Sequence, residues 1–243
     1  MRIEALLFDL FGTLFDWRRS IARALEAELA PLGHVAGWDG LALAWRELYQ
    51  PAMEAVRSGR RPYVRLDVLH AENLERVLER AAIRDVPEEV RRRLVLAWHR
   101  LDPWPDVREG LRRLRRIALL APCSNAHLRM AADLARNADL VFDAVLGAEL
   151  AGTYKPRPEV YLRAVELLDA EPAGCVMVAA HNDDLRAARA LGLKTAFVPR
   201  PQEWGLQAGR DLAPEEAWDF VAPDLGALAA QMERALGGVA GRG

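Results

Sequence analysis

Four polar groups stand where short apolar runs stop. Asp9 ends the run from Ile3 to Phe8, with Gly12 and Thr13 just behind it. Ser124 and Asn125 follow Ile117 to Pro122. Lys155 sits in Thr153-Tyr154-Lys155-Pro156-Arg157-Pro158, and Asp183-Asp184 follows Cys175 to Ala180. A carboxylate that attacks an electrophile must be ionised and held in place, and a neighbouring ammonium does both. Asp9 is the candidate nucleophile and Lys155 its partner. Thr13 can hydrogen-bond the carboxylate and fix its rotamer. Ser124 and Asn125 offer donors to an anionic substrate or leaving group. Asp184 can orient Lys155 or activate the water that cleaves a covalent intermediate. Taken singly each signal is weak: an Asp after a strand is most often a turn residue, Ser-Asn is a common turn, and paired acids suit a helix start. Their order at successive strand ends is what carries weight. Lys155 and Lys194 are the two lysines among 33 basic residues, so Lys155 stands against a strong bias toward arginine.

These residues need a scaffold, and the apolar pattern supplies one. Ile3 to Phe8 reads as a buried parallel strand. From Asp16 to about Leu101 the pattern is helical: Ser20 to Ala30, Leu41 to Val56 with a break near Pro51, Val64 to Ala82, and Glu88 to Arg100. Pro103-Trp104-Pro105 breaks the run. Strands and helices then alternate. Helices are predicted at Asp106 to Arg115, Ala126 to Arg136, Arg157 to Leu168, Asp184 to Leu191 and Leu225 to Leu236. Strands are predicted at Ile117 to Pro122, Ala144 to Leu146, Cys175 to Ala180, Lys194 to Val198 and Phe220 to Ala222, and the tail from Gly237 to Gly243 carries no structural signal. The fold class is α/β: a Rossmann-like parallel-sheet core (1–15 and 104–243) with an inserted all-helical cap (16–103), hinged near Asp16 and Pro103. The cleft between them is the expected binding site.

Composition narrows the function classes. With 51% hydrophobic and 28% charged residues and a formal charge of −2, the chain resembles a soluble enzyme without a field to recruit nucleic acid or acidic membrane. No apolar run is long enough to span a bilayer, and the secretory pattern is missing, which points to the cytoplasm. Cys123 and Cys175 read as free thiols. His34, His70, His99 and His127 show no metal-ligand spacing and read as surface or packing residues. Most of the tryptophans read as packing, with Trp17 and Trp45 placed to line the cleft.

The motif Phe8-Asp9-Leu10-Phe11-Gly12-Thr13-Leu14 resembles the first motif of the haloacid dehalogenase-like hydrolase superfamily, whose Asp is a covalent nucleophile. Its phosphatases read Asp-x-Asp-Gly-Thr; here the second acid is Phe11, which turns the reading from phosphoryl transfer toward attack on carbon. Within the superfamily the chain is similar to the L-2-haloacid dehalogenases (type II) along essentially its whole length. Tyr154-Lys155-Pro156-Arg157-Pro158-Glu159-Val160-Tyr161 is close to a segment of that group and carries over Lys155 and Tyr161. Ala44-Trp45-Arg46 with Tyr49 matches the group's Trp-Arg segment, which makes Arg46 the halide-site candidate. The departures are Ala179-Ala180-His181-Asn182-Asp183-Asp184, which puts His181 where the group has an Asn, and Ser124-Asn125-Ala126 in place of Ser-Asn-Gly.

The resemblance implies hydrolytic dehalogenation of short 2-haloalkanoates, haloacetates included, by a monomer or homodimer, with no cofactor, metal, nucleic acid or membrane. Asp9 attacks C2 to form an ester, and water activated near Asp184 and Lys155 cleaves it at the Asp9 carboxyl carbon, giving one inversion. Ser124 and the backbone amides of Leu10 and Phe11 hold the substrate carboxylate. His181 is expected to contact the halide, to orient Asp184, or merely to cap the helix behind it. The competing readings are a magnesium-dependent phosphatase of small esters, to which Phe11 is the objection, and a dehalogenase-like protein with weak or different activity.

Overall fold

The opening apolar run forms strand β1 (Ala5–Phe8), every side chain of it buried, as befits a strand covered on both faces of a sheet. The computed structural model describes residues 3–205 and 210–240. After β1 come a two-residue strand β2 (Phe15–Asp16) and the helices α1 (Trp17–Leu29), α2 (Trp38–Glu47), α3 (Tyr49–Arg57), α4 (Leu66–Arg80) and α5 (Glu88–Ala97). Strand β3 (Asp102–Pro103) then pairs antiparallel with β2, setting Asp102 opposite Asp16. The helical insert therefore leaves and re-enters the sheet region through one narrow double crossing. Behind it follow α6 (Val107–Leu114), β4 (Leu119–Pro122), α7 (Leu128–Asn137), α8 (Pro158–Leu167), β5 (Cys175–Ala179), α9 (Asn182–Ala190), β6 (Lys194–Phe197), β7 (Phe220–Val221) and α10 (Leu225–Ala240).

The main sheet has the order β4-β1-β5-β6-β7, and its pairings are all parallel. β1 lies between β4 and β5, so the loops that leave these three strands open a crevice at their carboxyl ends, where open α/β sheets place ligands. The Asp9 N–H donates to the Val178 carbonyl (3.1 Å) and the Cys123 N–H to the Phe8 carbonyl (2.8 Å), which fixes the relative height of the three strand ends.

Local chemistry explains where the elements depart from the expected bounds. α1 begins at Trp17 rather than Ser20 because the Asp16 side chain caps it, accepting from the Arg19 N–H at 3.2 Å; such a cap contributes roughly 1 kcal/mol. The expected helix from Leu41 to Val56 is two helices split at Leu48, three residues before Pro51. Pro51 lies in the first turn of α3, where its missing N–H has no intrahelical partner to lose. The expected strand from Ala144 to Leu146 does not form. The Asp143 carboxylate accepts from the Leu120 N–H at 3.0 Å, taking the position a strand carbonyl would need, and β4 remains the sheet edge. α10 runs to Ala240, through part of the tail read as unstructured; positions 241–243 of that expectation lie outside the described residues.

The insert and the sheet domain share one apolar core. Trp98 stacks on Trp17 (centroids 6.2 Å apart) and on His70 (4.1 Å), and Phe11 packs edge-on against Trp98 and Tyr49. Cys123 and Cys175 are both free and buried. No helix among the described residues is long and apolar enough to cross a membrane.

Candidate active site

The loop from Asp9 to Leu14 is held from three sides. Gly12 has φ +89°, a conformation that favours glycine. Trp104 donates its indole N–H to the Gly12 carbonyl (2.8 Å). Arg200 donates to the Thr13 carbonyl (2.9 Å) while its fork grips Asp106 at 2.7 and 2.9 Å. Thr13 Oγ1 accepts from the Ala180 N–H (2.9 Å) and donates to Asp9 Oδ2 (2.9 Å), so the carboxylate is anchored to the neighbouring strand end.

Lys155 lies between two carboxylates. Its Nζ stands 3.6 Å from Asp9 Oδ1 and 2.7 Å from Asp184 Oδ2. The Tyr161 hydroxyl donates to Asp184 Oδ1 at 2.5 Å, and the Asn125 side chain accepts from the Lys155 backbone N–H at 2.8 Å. Burial works against the ionised form of Asp9, yet Lys155, then His181 and Thr13, overcome it and bring the carboxyl down to about 2. Burial also opposes the Lys155 ammonium, and Asp184 and Asp9 together hold it above its ordinary range. Asp184 is pushed upward by burial, against Lys155, with the Asp9 charge adding to the rise. The nucleophile candidate is thus ionised at any ordinary pH.

Arg46 projects from the insert. It is buried, with its guanidinium 3.8 Å from the Tyr49 ring centroid, 5.2 Å from Trp17 and 5.7 Å from Phe11, and its Nη1 has no hydrogen-bond partner. An arginine nitrogen left unpaired inside an aromatic cage is a ready anion contact. His70 lies behind this cage; burial and the Arg46 charge keep its pKa well below the ordinary value, so it is neutral.

His181 stands at the N-cap position of α9 and lines the cleft, with its ring turned to two carboxylates. Its Nδ1 stands 3.4 Å from Asp9 Oδ2 and its Nε2 2.9 Å from Glu203 Oε2. It does not orient Asp184, whose partners are Lys155 and Tyr161, and its side chain makes no capping hydrogen bond to α9. Burial would lower its pKa, but Glu203 and Asp9 raise it well above the ordinary value. Glu203 is the residue that sequence reasoning missed. It is 2% exposed, accepts from the Trp17 indole N–H at 2.9 Å, and sits where a Gly12 Cβ would come within 2.2 Å of its Oε1. Gly12 therefore serves two ends, the positive φ and the room for this acid. A lone Glu in the loop after β6 belongs to no periodic pattern and no motif; contact alone reveals it.

An open cleft of about 1250 Å³ joins these groups, lined by Asp9, Phe11, Arg46, Asn125, Lys155, His181 and Asp184 among others. Among the described residues the N–H groups of Leu10 and Phe11 take no backbone partner. Leu10, Thr13 and Tyr161 are fully buried beneath the cleft. Ser124 is not brought to it: its hydroxyl accepts from the Ala126 N–H at 3.3 Å inside its own turn. Trp17 and Trp45 do not line it either; both are buried behind Arg46. Arg57, unsuspected from sequence, reaches from α3 to the Lys155 carbonyl at 2.7 Å and lines the rim.

Comparison with known proteins bears on the family of the whole chain. The family model for haloacid dehalogenase-like hydrolases matches residues 3–192. The crystal structure of the L-2-haloacid dehalogenase PA0810 superposes with a TM-score of 0.91 at 44% identity, covering 95% of this chain and 98% of that one. That of the defluorinating L-2-haloacid dehalogenase Rha0230 gives 0.92 at 41% identity, covering 95% of both chains. An (S)-2-haloacid dehalogenase from Xanthobacter autotrophicus is 29% identical over 93% of both chains, and a phosphoglycolate phosphatase from Nitrosospira multiformis 26% identical over 92% of both. The chain belongs to the haloacid dehalogenase-like hydrolase family.

Proposed function

We propose that the protein is a hydrolytic (S)-2-haloacid dehalogenase that converts short 2-haloalkanoates, haloacetates included, to 2-hydroxy acids. The observation that carries this reading is the pairing of an ionised Asp9 with an aromatic residue, Phe11, in the position of the second acid, beneath the unpaired Arg46 guanidinium. Asp9 attacks C2 from behind the carbon–halogen bond; the C–O bond forms as the halide leaves with the bonding pair. Arg46 takes up the halide, and the Leu10 and Phe11 amides, with Asn125 at the rim, hold the substrate carboxylate. Residues 16–103 act as the cap that closes over the substrate.

The ester is then cleaved by water at the Asp9 carboxyl carbon, so C2 is inverted once. His181, beside Asp9 and backed by Glu203, is the proton acceptor in this step. Once Asp9 is esterified its negative charge is gone and the His181 proton is held chiefly by Glu203, so the imidazolium becomes more acidic when a base is needed. Lys155 and Asp184 keep the carboxyl group oriented.

The phosphatase relative makes magnesium-dependent phosphate release the alternative. Two features weigh against it. A positioned acid contributes roughly 10²–10⁴-fold to such chemistry, and Phe11 supplies none. Asp184 is engaged by Lys155 and Tyr161 rather than open to a cation. Halide release from chloroacetate or (S)-2-chloropropionate is expected to continue unchanged in excess chelator, with negligible phosphate release from small esters. Strict magnesium dependence would overturn the dehalogenase reading.

Arg46 gives a second test. Arg46→Ala and Arg46→Lys are each expected to lower halide release by about 10²-fold or more, the range seen when one preorganised anion donor is removed, because an ammonium does not reproduce a planar guanidinium. Wild-type rates in both variants would remove Arg46 from the halide site.

A further inference from the structure

The histidines that show no ligand spacing in sequence are brought together in space. Asp67, the second residue of α4, lies between His99, two residues beyond α5, and His127, which precedes α7. His99 Nε2 is 3.0 Å from Asp67 Oδ1 and His127 Nε2 is 3.4 Å from Asp67 Oδ2. One ligand atom from each of the three residues lies within 4.8 Å of the others. None of the three lines the catalytic cleft.

We propose that Asp67, His99 and His127 form a binding site for a borderline transition-metal ion such as Zn²⁺, which fastens the helical insert to the sheet domain. Zinc–nitrogen and zinc–oxygen bonds of about 2.0–2.2 Å set tetrahedral ligand atoms roughly 3.4 Å apart; here the ligand atoms lie within 4.8 Å of one another, so a modest closing-in seats the ion. Two imidazoles with one carboxylate suit zinc and its neighbours, not magnesium or calcium. The site also has an outer shell. Asp133 Oδ2 lies 2.9 Å from His99 Nδ1, the carboxylate–histidine arrangement that fixes a ligand's tautomer, and Asn137 donates to the His99 carbonyl at 3.0 Å. His127 is 1% exposed and the protein makes little use of its ring: Nδ1 has no partner, and the Nε2 contact with Asp67 is too long for a good hydrogen bond. Asp67 is the most exposed member, at 29% of its side chain, which leaves an entry path and room for a water as fourth ligand. A bound ion replaces the proton now shared between His99 and Asp67.

The test uses the whole chain stripped with chelator and then titrated with Zn²⁺, with Mg²⁺ in parallel. One Zn²⁺ per chain is expected by calorimetry. At about a hundred times the dissociation constant, Tm is expected to rise by roughly 5–10 °C, and Mg²⁺ should produce no shift. His127→Ala and His99→Gln should each weaken binding at least ~100-fold, and Asp133→Asn ~10–100-fold. Co²⁺ added to the wild type should show the intense visible bands of a tetrahedral centre, a reading that survives if a variant fails to fold. Absence of saturable one-to-one uptake, an octahedral Co²⁺ spectrum, or binding unchanged in His127→Ala would each overturn the site. Halide release by the stripped wild type is independent of this outcome, so the two proposals fail separately.

Discussion

Asp9→Asn is expected to lower turnover by ~10⁴–10⁶-fold, the scale on which loss of a nucleophile acts, while the fold remains intact. The amide is isosteric with the carboxyl, its oxygen can still accept from Thr13, and Lys155 keeps its 2.7 Å contact with Asp184. The charge is lost, and the amide nitrogen takes the place of the oxygen that faced Lys155. Near-normal turnover by this variant, its peptide mass verified against deamidation, would sink covalent catalysis. A single turnover of excess wild-type enzyme in oxygen-18 water should place the label in the peptide carrying Asp9 and leave the product hydroxyl unlabelled; label in the first-turnover product would exclude the ester. The same carboxyl has a stability signature. Its folded value of about 2 lies below the ordinary 3.8, so its contribution is present above pH 3.8 and lost as pH falls from there toward 2. The melting temperatures of wild type and variant should shift relative to each other across that window.

What could be read from the sequence, and what could not, divides along the range of the interactions. Parallel strands buried on both faces announce themselves as short apolar runs, and polar residues at their ends mark where a crevice must open; β1, β4 and β5 with Asp9, Asn125 and Asp184 were legible for that reason. The Lys155 link between Asp9 and Asp184 followed from charge complementarity. The segment from Ala144 to Leu146 misled because its apolar residues pack beside β4 while the edge is met at Leu120: the Asp143 N–H donates to the Leu120 carbonyl and the Asp143 carboxylate accepts from the Leu120 N–H, so no ladder runs on. Ser124 stands at the expected strand end, with its hydroxyl accepting from the Ala126 N–H of its own turn, since a hydroxyl after a strand serves a turn as readily as a ligand. Glu203 was invisible: it enters the site across 22 residues from His181 and across 186 from Trp17, and only the assembled fold makes an acid in that loop a neighbour of the nucleophile. Asp67, His99 and His127 escaped for the same reason, since their spacing of 32 and 28 residues in sequence matches no local ligand pattern.

His181→Asn is expected to slow turnover by ~10²–10⁴-fold, the usual worth of a positioned general base, and to leave the Asp9 ester accumulated and visible by mass. The geometry argues for this step over contact with the leaving halide. In a backside attack the halide departs on the far side of C2 from Asp9, whereas His181 Nδ1 stands 3.4 Å from the Asp9 carboxylate itself. The loss should therefore be of similar size on chloroacetate, fluoroacetate and 2-chloropropionate wherever hydrolysis limits the rate; a loss confined to fluoroacetate, without ester, would place His181 at the halide instead. Glu203 supplies the sign of the pH dependence. Its charge raises the His181 pKa and still does so once Asp9 is esterified, so ester hydrolysis should accelerate as pH climbs through the value that Glu203 holds up. Glu203→Gln removes the charge, lowers that pKa, and should move the limb toward acid; an unmoved limb would remove Glu203 from the proton path. The raised pKa has an opposite effect on stability. A group whose folded pKa exceeds its unfolded one stabilises the protein fully below the unfolded value, near 6.5 for histidine, and loses that contribution as pH rises through the folded value. The deprotonation that frees His181 to act as a base therefore also weakens its tie between Asp9 and Glu203. In the free enzyme Asp9 keeps its charge, so the wild-type melting temperature should fall at a higher pH than the one at which ester hydrolysis gains speed, and Glu203→Gln should move both curves toward acid.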